Sequence, residues 1–415
     1  MKVVHLSYYY GNNTSGAPMA AMRLHRALLR IGVESHFVCI DQREPGENVH
    51  KLPKGWLLSA FYYAVPRGLW VLSKVLFGKM YMPNMISLVG FGKLMRALKP
   101  DVVHIHFIGQ DMLSFAQIAA LHCPTVITLH DLSLVNAVEP HPCADRRFTE
   151  GFTKENATRM ERWMFERKRR FVNELRPYFI GPSKWICSML SQSLIGRRAR
   201  SEVVLNIVDP VYGFDAKQRK PHGRFTLLFG AYQGRASAYK GWPDLEAALG
   251  LLPEEVKANM TVNVFGESAA DCKVNGVPVH FLGVIKNPAV LRDEHHRADA
   301  LALPSRQDNA PQVKFEALLD GLPVLAFERT GCAEYIRHKE NGWVSPDGDI
   351  ADYAKGIEFF YRMWQRGDLE PIRGKIAEAA KAEFSEAEIV RKTMDVYACV
   401  CQRPVAETAT VRSSS

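Results

Sequence analysis

Residues 300–327 contain a strand, a polar loop, a helix and a second strand in immediate succession, and this order constrains the fold strongly. The apolar run Ala300–Leu303 predicts a buried strand. Pro311 predicts the start of a helix, because proline at the first helical turn is pre-set for that geometry and loses no needed N–H group. The helix is expected to end at Gly321, and Pro323–Phe327 predicts a second buried strand.

The loop that precedes this helix has the composition of an anion site. Free backbone N–H groups at the start of a helix attract anions. Two carboxylates, Asp308 before the helix and Glu316 inside it, are eight positions apart, and both could point toward whatever binds there. An alternative stays open, in which Asp308 or Asn309 caps the helix, and capping is compatible with binding.

Strand-like apolar runs alternate with helical patterns along most of the chain, which indicates α/β architecture with parallel sheets. At 415 residues the chain is long enough for two domains of roughly 200 residues each. The pattern restarts at Phe225–Phe229, so the boundary is expected near Asn206–Pro210. The clearest strands predicted in the first half are Val3–Tyr8, Ser35–Cys39, Val102–His106, Val126–Leu129 and Tyr178–Gly181.

The 300–327 segment resembles the signature of retaining nucleotide-sugar glycosyltransferases with the GT-B fold, of the glycosyltransferase family 4 type. That signature has two acidic residues eight positions apart, then alanine and a Gly-x-Pro-Val strand, and here these are Asp308, Glu316, Ala317 and Gly321–Val324. The first acid is aspartate where the family has glutamate, a departure associated with the colanic-acid and exopolysaccharide branch.

The resemblance implies a GT-B architecture, with two Rossmann-like domains facing across a cleft and a C-terminal helix that crosses back to the first domain. It predicts an acceptor domain over residues 1–207 and a nucleotide-sugar donor domain over 208–384. Residues 385–403 would form the returning helix, which Ser385 and Glu388 open with the spacing of a capping box. The tail 404–415 is expected to be disordered.

Arg235 and Lys240 follow the predicted strand that ends near Gly230, and open α/β sheets bind ligands at the carboxyl ends of their strands. Departure of a nucleoside diphosphate develops negative charge, which cations aimed at the phosphate oxygens neutralise. In the resembled family such an Arg/Lys pair replaces a divalent metal, so neither a metal nor a cofactor is expected. The alternative is a pair of solvated surface cations.

The resemblance also assigns roles to the acidic loop and its helix. Glu316 would accept hydrogen bonds from the ribose hydroxyls of a UDP- or GDP-sugar, and Asp308 would bind hydroxyls of the donor sugar. Backbone groups of the loop would meet the sugar or the distal phosphate, and the donor-binding residues here are Asn309, Ala310, Pro311 and Gln312. Gly230, at the end of the strand that precedes Arg235, is expected to bind the donor as well.

His130 follows the strand Val126–Leu129, where it faces the ligand-binding edge of a sheet and can bond a sugar hydroxyl or a phosphate. The Thr-x-His-Asp motif of the resembled family lines the reaction centre, whereas His130 taken alone is equally well a structural histidine. His104 and His106 are expected to be structural. Gly16 lies in a loop similar to the family's glycine-rich loop, where an ordinary turn is the alternative.

The formal charge of +9 favours acidic partners such as nucleotides, anionic lipids, polyprenyl phosphates or nucleic acid. Nucleic acid is disfavoured, because the sequence has no concentrated Lys/Arg segment with interleaved aromatic residues. A basic helical face is either solvated surface or a docking site for anionic membrane or a polyprenyl-diphosphate acceptor. It comprises Arg162, Arg167, Lys168, Arg169 and Arg170.

Eight cysteines without a Cys-x₂-Cys pair indicate reduced thiols in a cytosolic protein rather than a zinc site. The amino terminus begins a strand at once, which leaves no room for a signal-peptide core. Charges and a proline interrupt the apolar stretch 55–92, so it is expected to pack internally or to lie on a membrane surface. A cytoplasmic location follows, with association with the inner face of the plasma membrane left open.

Together these observations predict a metal-independent retaining hexosyltransferase. It would move a hexose from a UDP- or GDP-sugar to a glycan or polyprenyl-diphosphate-linked acceptor in surface-polysaccharide biosynthesis. The alternative is a non-catalytic nucleotide-sugar-binding protein of the same fold, which the aspartate at 308 and the reduced glycine loop motivate.

Overall fold

The computed structural model describes residues 1–11, 16–52, 91–108, 112–138, 145–219, 223–230, 235 and 238–402. The chain divides into two compact units. The first comprises Met1–Pro182, Ile186–Val204 and Ala387–Ser415, and the second comprises Ser183–Trp185 and Leu205–Glu386. Loop residues 12–15, most of the 55–92 stretch and the tail 404–415 lie outside the described residues.

The first unit contains a seven-stranded sheet and a small two-stranded one. Its strands are β1 (Lys2–Ser7), β2 (Tyr9–Tyr10), β3 (Glu34–Cys39), β4 (Asp41–Gln42), β5 (Val49–Lys51), β6 (Val102–Phe107), β7 (Thr125–Thr128), β8 (Tyr178–Gly181) and β9 (Arg200–Val203). The large sheet has the order β5-β3-β1-β6-β7-β8-β9, and its strand pairs are parallel. β2 pairs with β4.

Helices cover this sheet, so its central strands read as continuous buried runs rather than as alternating ones. Val3, Val4 and Leu6 in β1 are buried, as are all four residues of β7. Such runs are typical of parallel strands that are packed on both faces. The helices that precede residue 204 are α1 (Gly16–Arg30), α2 (Phe91–Leu98), α3 (Phe115–Ala119), α4 (Arg147–Glu150), α5 (Arg159–Leu175) and α6 (Lys184–Gln192).

The second unit contains another seven-stranded sheet. Its strands are β10 (Phe225–Gly230), β11 (Met260–Phe265), β12 (Cys272–Val274), β13 (Val277–Gly283), β14 (Ala300–Leu303), β15 (Val324–Phe327) and β16 (Gly342–Ser345). The order is β12-β13-β11-β10-β14-β15-β16. All its pairs are parallel except β12 with β13.

Two apolar clusters pack against opposite faces of this sheet. One includes Phe229, Leu325 and Tyr353, and the other includes Leu301, Phe315 and Val324. The helices of the unit are α7 (Trp242–Gly250), α8 (Glu254–Ala258), α9 (Pro288–Arg297), α10 (Gln312–Leu319), α11 (Ile350–Arg366) and α12 (Leu369–Glu383). Short 3₁₀ helices lie at Ala216–Gln218 and Ala238–Lys240.

The last helix, α13 (Glu386–Cys401), places its buried face in the first unit. The Tyr397 hydroxyl lies 2.7 Å from Nδ1 of His104 on β6, and both side chains are fully buried. None of the helices in the described part of the chain combines the length and the apolar character that a bilayer-spanning segment needs.

The predicted α/β architecture with two parallel sheets is confirmed. The helix expected to run from Pro311 to Gly321 is shorter, because Pro311 stands at the N-cap and Asp320 at the C-cap, so the helix itself spans Gln312–Leu319. Gly321 then adopts a φ of +70°, a left-handed conformation that glycine accepts without strain.

Candidate functional site

The connections after neighbouring strands of the second sheet carry most of the predicted site residues. β10 ends at Gly230, β11 at Phe265 and β14 at Leu303, and β10 lies between the other two. Because the three strands are parallel, their carboxyl ends share one edge of the sheet. Ligands bind at this edge in open α/β sheets.

Lys240, after β10, forms an ion pair with Asp308, after β14. The two side chains keep only 15% and 12% of their surface exposed. Burial disfavours charge on Lys240, but the Asp308 carboxylate outweighs that effect, and the pKa of Lys240 is raised. The ammonium group is therefore charged at neutral pH, at the position predicted for a phosphate-binding cation.

Arg235 forms a second ion pair, with Glu267 after β11. Its backbone N–H and its Nη2 donate to the two carboxylate oxygens, over 2.9 and 2.8 Å. The guanidinium also lies over the Phe281 ring, 4.6 Å from the centroid. The hydrogen bonds raise the pKa of Arg235 and lower that of Glu267. The guanidinium keeps 34% of its side-chain surface exposed, so an anion can reach it.

A close contact between the two loops holds Lys240 near Asp308. Gly241 has a φ of +78°, and a Cβ at this position would lie 1.9 Å from the Pro304 carbonyl oxygen. Only glycine satisfies both conditions. The backbone N–H of Arg306 donates to the Tyr239 carbonyl over 2.9 Å, which fixes the loops a second time.

The loop that carries Asp308 and Asn309 is held by two direct hydrogen bonds and by one indirect contact through Gly331. The Gly331 N–H donates to the Asp308 carbonyl over 2.9 Å, and the Ser183 hydroxyl donates to Oδ1 of Asn309. Lys314 is fully buried and donates from Nζ to the Gly331 carbonyl over 2.6 Å, so it braces the segment against which the loop lies.

Neither Asp308 nor Asn309 stands at the N-cap position of α10. The N-cap residue is Pro311, which has no side-chain acceptor. Asp308 instead accepts from the adjacent Asn309 N–H over 3.0 Å. Glu316 lies in the second turn with 5% of its surface exposed. The acidic loop thus has charges that helix capping does not explain.

Gly331→Ala is expected to destabilise the protein by about 1–3 kcal/mol. A Cβ at position 331 would lie 1.4 Å from the Asn309 carbonyl oxygen, so the loop must move. Gly374→Ala in α12 is the matched control, because nothing lies within 4 Å of a Cβ there. Urea denaturation would measure both variants, and equal free energies of unfolding would contradict the described packing.

In the first unit, His130 follows β7 and its Nε2 lies 3.4 Å from Nδ1 of His106. Burial lowers the pKa of His130, so its ring is neutral at pH 7. The segment after His130 is held by Lys168 on α5. The Lys168 ammonium donates to the carbonyls of Ser133, Asn136 and Ala137 over 2.6–3.0 Å.

This contact corrects the basic helical face that the sequence suggested. Lys168 is buried and braces a loop, so it does not belong to an exposed cationic surface. Arg169 and Arg170 both pair with Glu166, and Arg167 lies over the rings of Phe115 and Trp163. The net positive charge of this helix face is therefore smaller than its sequence indicates.

Gly16 begins α1, and nothing in the described part of the structure lies within 4 Å of a Cβ at this position. Packing among these residues therefore does not explain the glycine. Its predicted role in donor binding stays a prediction, because the preceding loop residues 12–15 lie outside the described chain.

Among the described residues, His5, His104 and His106 are three metal-ligating side chains that lie close enough together to hold a metal ion. One nitrogen from each lies within 4.8 Å of the others, and all three residues are buried. Burial lowers the pKa of each, which keeps the imidazoles neutral. Both nitrogens of His104 already contact hydroxyls, those of Tyr397 and Thr128, at 2.7 Å.

Sequence patterns missed the contacts that support the site. Glu267 is 32 positions from Arg235 and belongs to no recognised motif. Ser183 lies in a Pro-Ser-Lys-Trp segment that resembles a motif of the family, but the motif does not indicate its contact with Asn309, 126 positions away. Glu334 accepts from the backbone N–H groups of Lys184 and Trp185 over 2.9 and 2.7 Å. The spacing of residues in a single sequence cannot reveal such contacts, because they depend on how loops from different strands meet.

Two family models match consecutive parts of the chain. Residues 14–212 match the family described as Glycosyltransferase Family 4, and residues 214–382 match Glycosyl transferases group 1. Among curated proteins, the α-1,3/1,6-mannosyltransferase of Neurospora crassa is 34% identical over 88 residues, 19% of this chain and 18% of the relative. The amylovoran biosynthesis glycosyltransferase of Erwinia amylovora is 30% identical over 92 residues, 21% of this chain and 22% of the relative. The matched segments thus span about a fifth of these relatives.

Solved structures resemble the chain over nearly its whole length. Sucrose-phosphate synthase from Thermosynechococcus elongatus has a TM-score of 0.66 at 15% identity, with 96% of this chain and 99% of that chain covered. HepE from Anabaena in complex with UDP-glucose has a TM-score of 0.60 at 15% identity, with 96% and 100% covered. At these identities the likeness shows a shared fold.

Proposed function

The chain belongs to the family 4 type of glycosyltransferases with the GT-B fold, and from this premise we propose that it is a retaining, metal-independent hexosyltransferase. It takes a hexose from a UDP- or GDP-sugar and transfers it to a glycan or a lipid-linked acceptor in surface-polysaccharide assembly. The UDP-glucose complex of HepE and the amylovoran relative support the donor class and the pathway type.

The observation that carries the proposal is the pair of cations at the carboxyl edge of the second sheet. Arg235 and Lys240 both follow β10, and each is held by a carboxylate from the loop after a neighbouring strand. A diphosphate would replace carboxylate contacts with its own, and two cations match its charge.

In the proposed reaction the bond between the anomeric carbon and the diphosphate oxygen breaks, and its electron pair leaves with the diphosphate. Arg235 and Lys240 stabilise the developing charge in the way that a divalent ion does elsewhere. The acceptor hydroxyl then attacks the face that the diphosphate leaves, and its proton passes to the departing phosphate. Configuration at the anomeric carbon is thereby retained.

Asp308 acts on the donor sugar in this proposal, and Glu316 on the ribose. Asp308 is fixed by the Asn309 N–H and by Lys240, so its oxygens are oriented before substrate binds. Pro311, the N-cap residue of α10, has no side-chain acceptor for the N–H groups at the start of the helix. In this proposal the N–H groups near Ala310 and Gln312 bind the distal phosphate.

Glu316→Gln is expected to raise KM for the donor about 10–100-fold, with a smaller change in kcat, because a hydrogen bond to a charged group contributes roughly 1.5–3 kcal/mol. The matched control is Glu254→Gln, since that carboxylate is 89% exposed. Initial rates at varied donor concentration would measure the effect. A fall in kcat at unchanged KM would contradict a ribose contact.

Incubation with a panel of UDP- and GDP-sugars and lipid-linked acceptors, in excess EDTA, tests the whole proposal. We expect release of nucleoside diphosphate and a glycoside with the anomeric configuration of the donor, which NMR of the product identifies. An inverted product, or activity that requires a divalent ion, would refute the mechanism. Tight donor binding without transfer would instead support the non-catalytic alternative.

A further inference from the structure

Three histidines of the first unit form a hydrogen-bonded chain that ends at His130. His5 Nδ1 lies 3.1 Å from His106 Nε2, and His106 Nδ1 lies 3.4 Å from His130 Nε2. The residues come from β1, β6 and the position just after β7, which are consecutive strands in the sheet. The chain therefore runs from the sheet interior toward its carboxyl edge.

Every imidazole in this chain is neutral, so each has one N–H. Burial lowers the pKa of His5 and His106 well below the usual value for histidine, and their like charges would oppose protonation further. A central His106 with one N–H must donate to one neighbour and accept from the other. The chain thus has two arrangements, in which all the N–H groups point toward His130 or all point away from it.

The inner end of the chain decides between these arrangements. His5 Nε2 is buried and has no hydrogen-bond partner among the residues that the structure describes. If the N–H groups pointed away from His130, this atom would be a buried donor without an acceptor, and such orphaned N–H groups are rare in proteins. In the opposite arrangement it is only an unused acceptor. The protons of His5, His106 and His130 then all lie on Nδ1.

We propose that His5 and His106 are positioning residues that fix the Nδ1-protonated tautomer of His130, so that His130 donates a hydrogen bond to an oxygen of the substrate. A histidine's tautomer is set by the bond that its other nitrogen makes. The part of this inference that concerns substrate rests on the proposed transferase function. The tautomer itself does not.

A metal ion on His5, His104 and His106 is the competing use of these side chains. It would have to displace the hydrogen bond between His5 and His106, and one of the two hydroxyl contacts of His104. The existing hydrogen bonds therefore favour the chain.

Long-range ¹H–¹⁵N NMR of the ligand-free protein, labelled on histidine, tests the tautomers directly. We expect protonated Nδ1 and unprotonated Nε2 for His5, His106 and His130, and this is the less common tautomer of free histidine. A protonated Nε2 on His130 would overturn the proposal. So would tight Zn²⁺ binding that abolishes the Nδ1–H signals of His5 and His106.

Two substitutions at position 5 separate positioning from folding. His5→Leu removes the first donor and is expected to give a mixture of His130 tautomers and a loss of about tenfold in kcat/KM, the value of one hydrogen bond. His5→Asn places an amide N–H near the Nδ1 position and should restore both. If His5→Asn is as impaired as His5→Leu in both readouts, position 5 has a packing role only and the positioning proposal is overturned.

These readouts distinguish the two proposals. If the Nδ1–H tautomers are found but no sugar is transferred, the proposed function fails and the positioning survives. If transfer is found with His130 protonated on Nε2, the positioning fails and the function survives.

Discussion

Lys240→Ala is expected to lower kcat for sugar transfer by roughly 10²–10³-fold, the loss that follows removal of one preorganised group that stabilises a developing charge. Lys240 suits that role because Asp308 holds it in place and raises its pKa, so the ammonium group is charged before the donor binds. Initial rates at saturating donor would measure the effect.

Loss of Lys240 also leaves Asp308 largely buried without its partner, which destabilises the fold. The double variant Lys240→Met/Asp308→Asn removes both charges and should recover the melting temperature without recovering transfer. Lys257→Ala is the control for loss of a paired lysine cation, since that side chain is 12% exposed, close to the 15% of Lys240, and pairs with exposed Glu254. Transfer within about threefold of the wild type in Lys240→Ala would exclude a direct role in the reaction.

Acidification is expected to unfold the first unit between pH 6 and pH 4. Burial lowers the pKa of four histidines that are buried there, His5, His25, His104 and His106, with His25 near 4 and His104 near 3. Between those values and the ordinary pKa of 6.5, the unfolded chain binds protons that the folded chain excludes. The free energy of unfolding therefore falls as the pH falls.

Each such histidine costs about 1.4 kcal/mol per pH unit in this window. Four of them together would exhaust a typical stability of roughly 5–15 kcal/mol within one to three pH units. Calorimetry from pH 7.5 to pH 4.5 should show that the melting temperature of the first unit falls steeply as the pH falls. His25→Asn should reduce the slope of the unfolding free energy against pH by the amount that corresponds to about one bound proton. A melting temperature of the wild type that does not change with pH would refute the buried neutral state of these histidines.

The sequence predicts the secondary-structure elements and the candidate site residues better than it predicts the contacts that hold those residues in place. Alternation of strands and helices predicted both parallel sheets, because their buried strands are nearly all apolar. The whole segment around Asp308 and Glu316, rather than their spacing alone, indicates the family 4 type, and the family matches confirm it. Motif residues are recognisable because chemistry limits their type and spacing.

The partners of these residues could not be read from the sequence. Asp308 was expected to bind a sugar, and nothing in its local context indicated the ion pair with Lys240, 68 positions away. Glu267 similarly meets Arg235 only because β10 and β11 are neighbours in the sheet. The sequence pattern places Lys168 on a basic surface. Its burial depends on a contact with the loop after His130, which the pattern does not show.

Calorimetric titration of UDP and GDP into the protein in excess EDTA tests the central claim most directly, namely that Arg235 and Lys240 bind a diphosphate without a divalent ion. We predict binding of one nucleotide at a single site, unchanged by added Mg²⁺ and weakened about 10–100-fold in each of Arg235→Ala and Lys240→Ala, as loss of a charge-assisted hydrogen bond requires. Binding of either nucleotide that appears only with a divalent ion, or that both variants retain in full, would contradict the account.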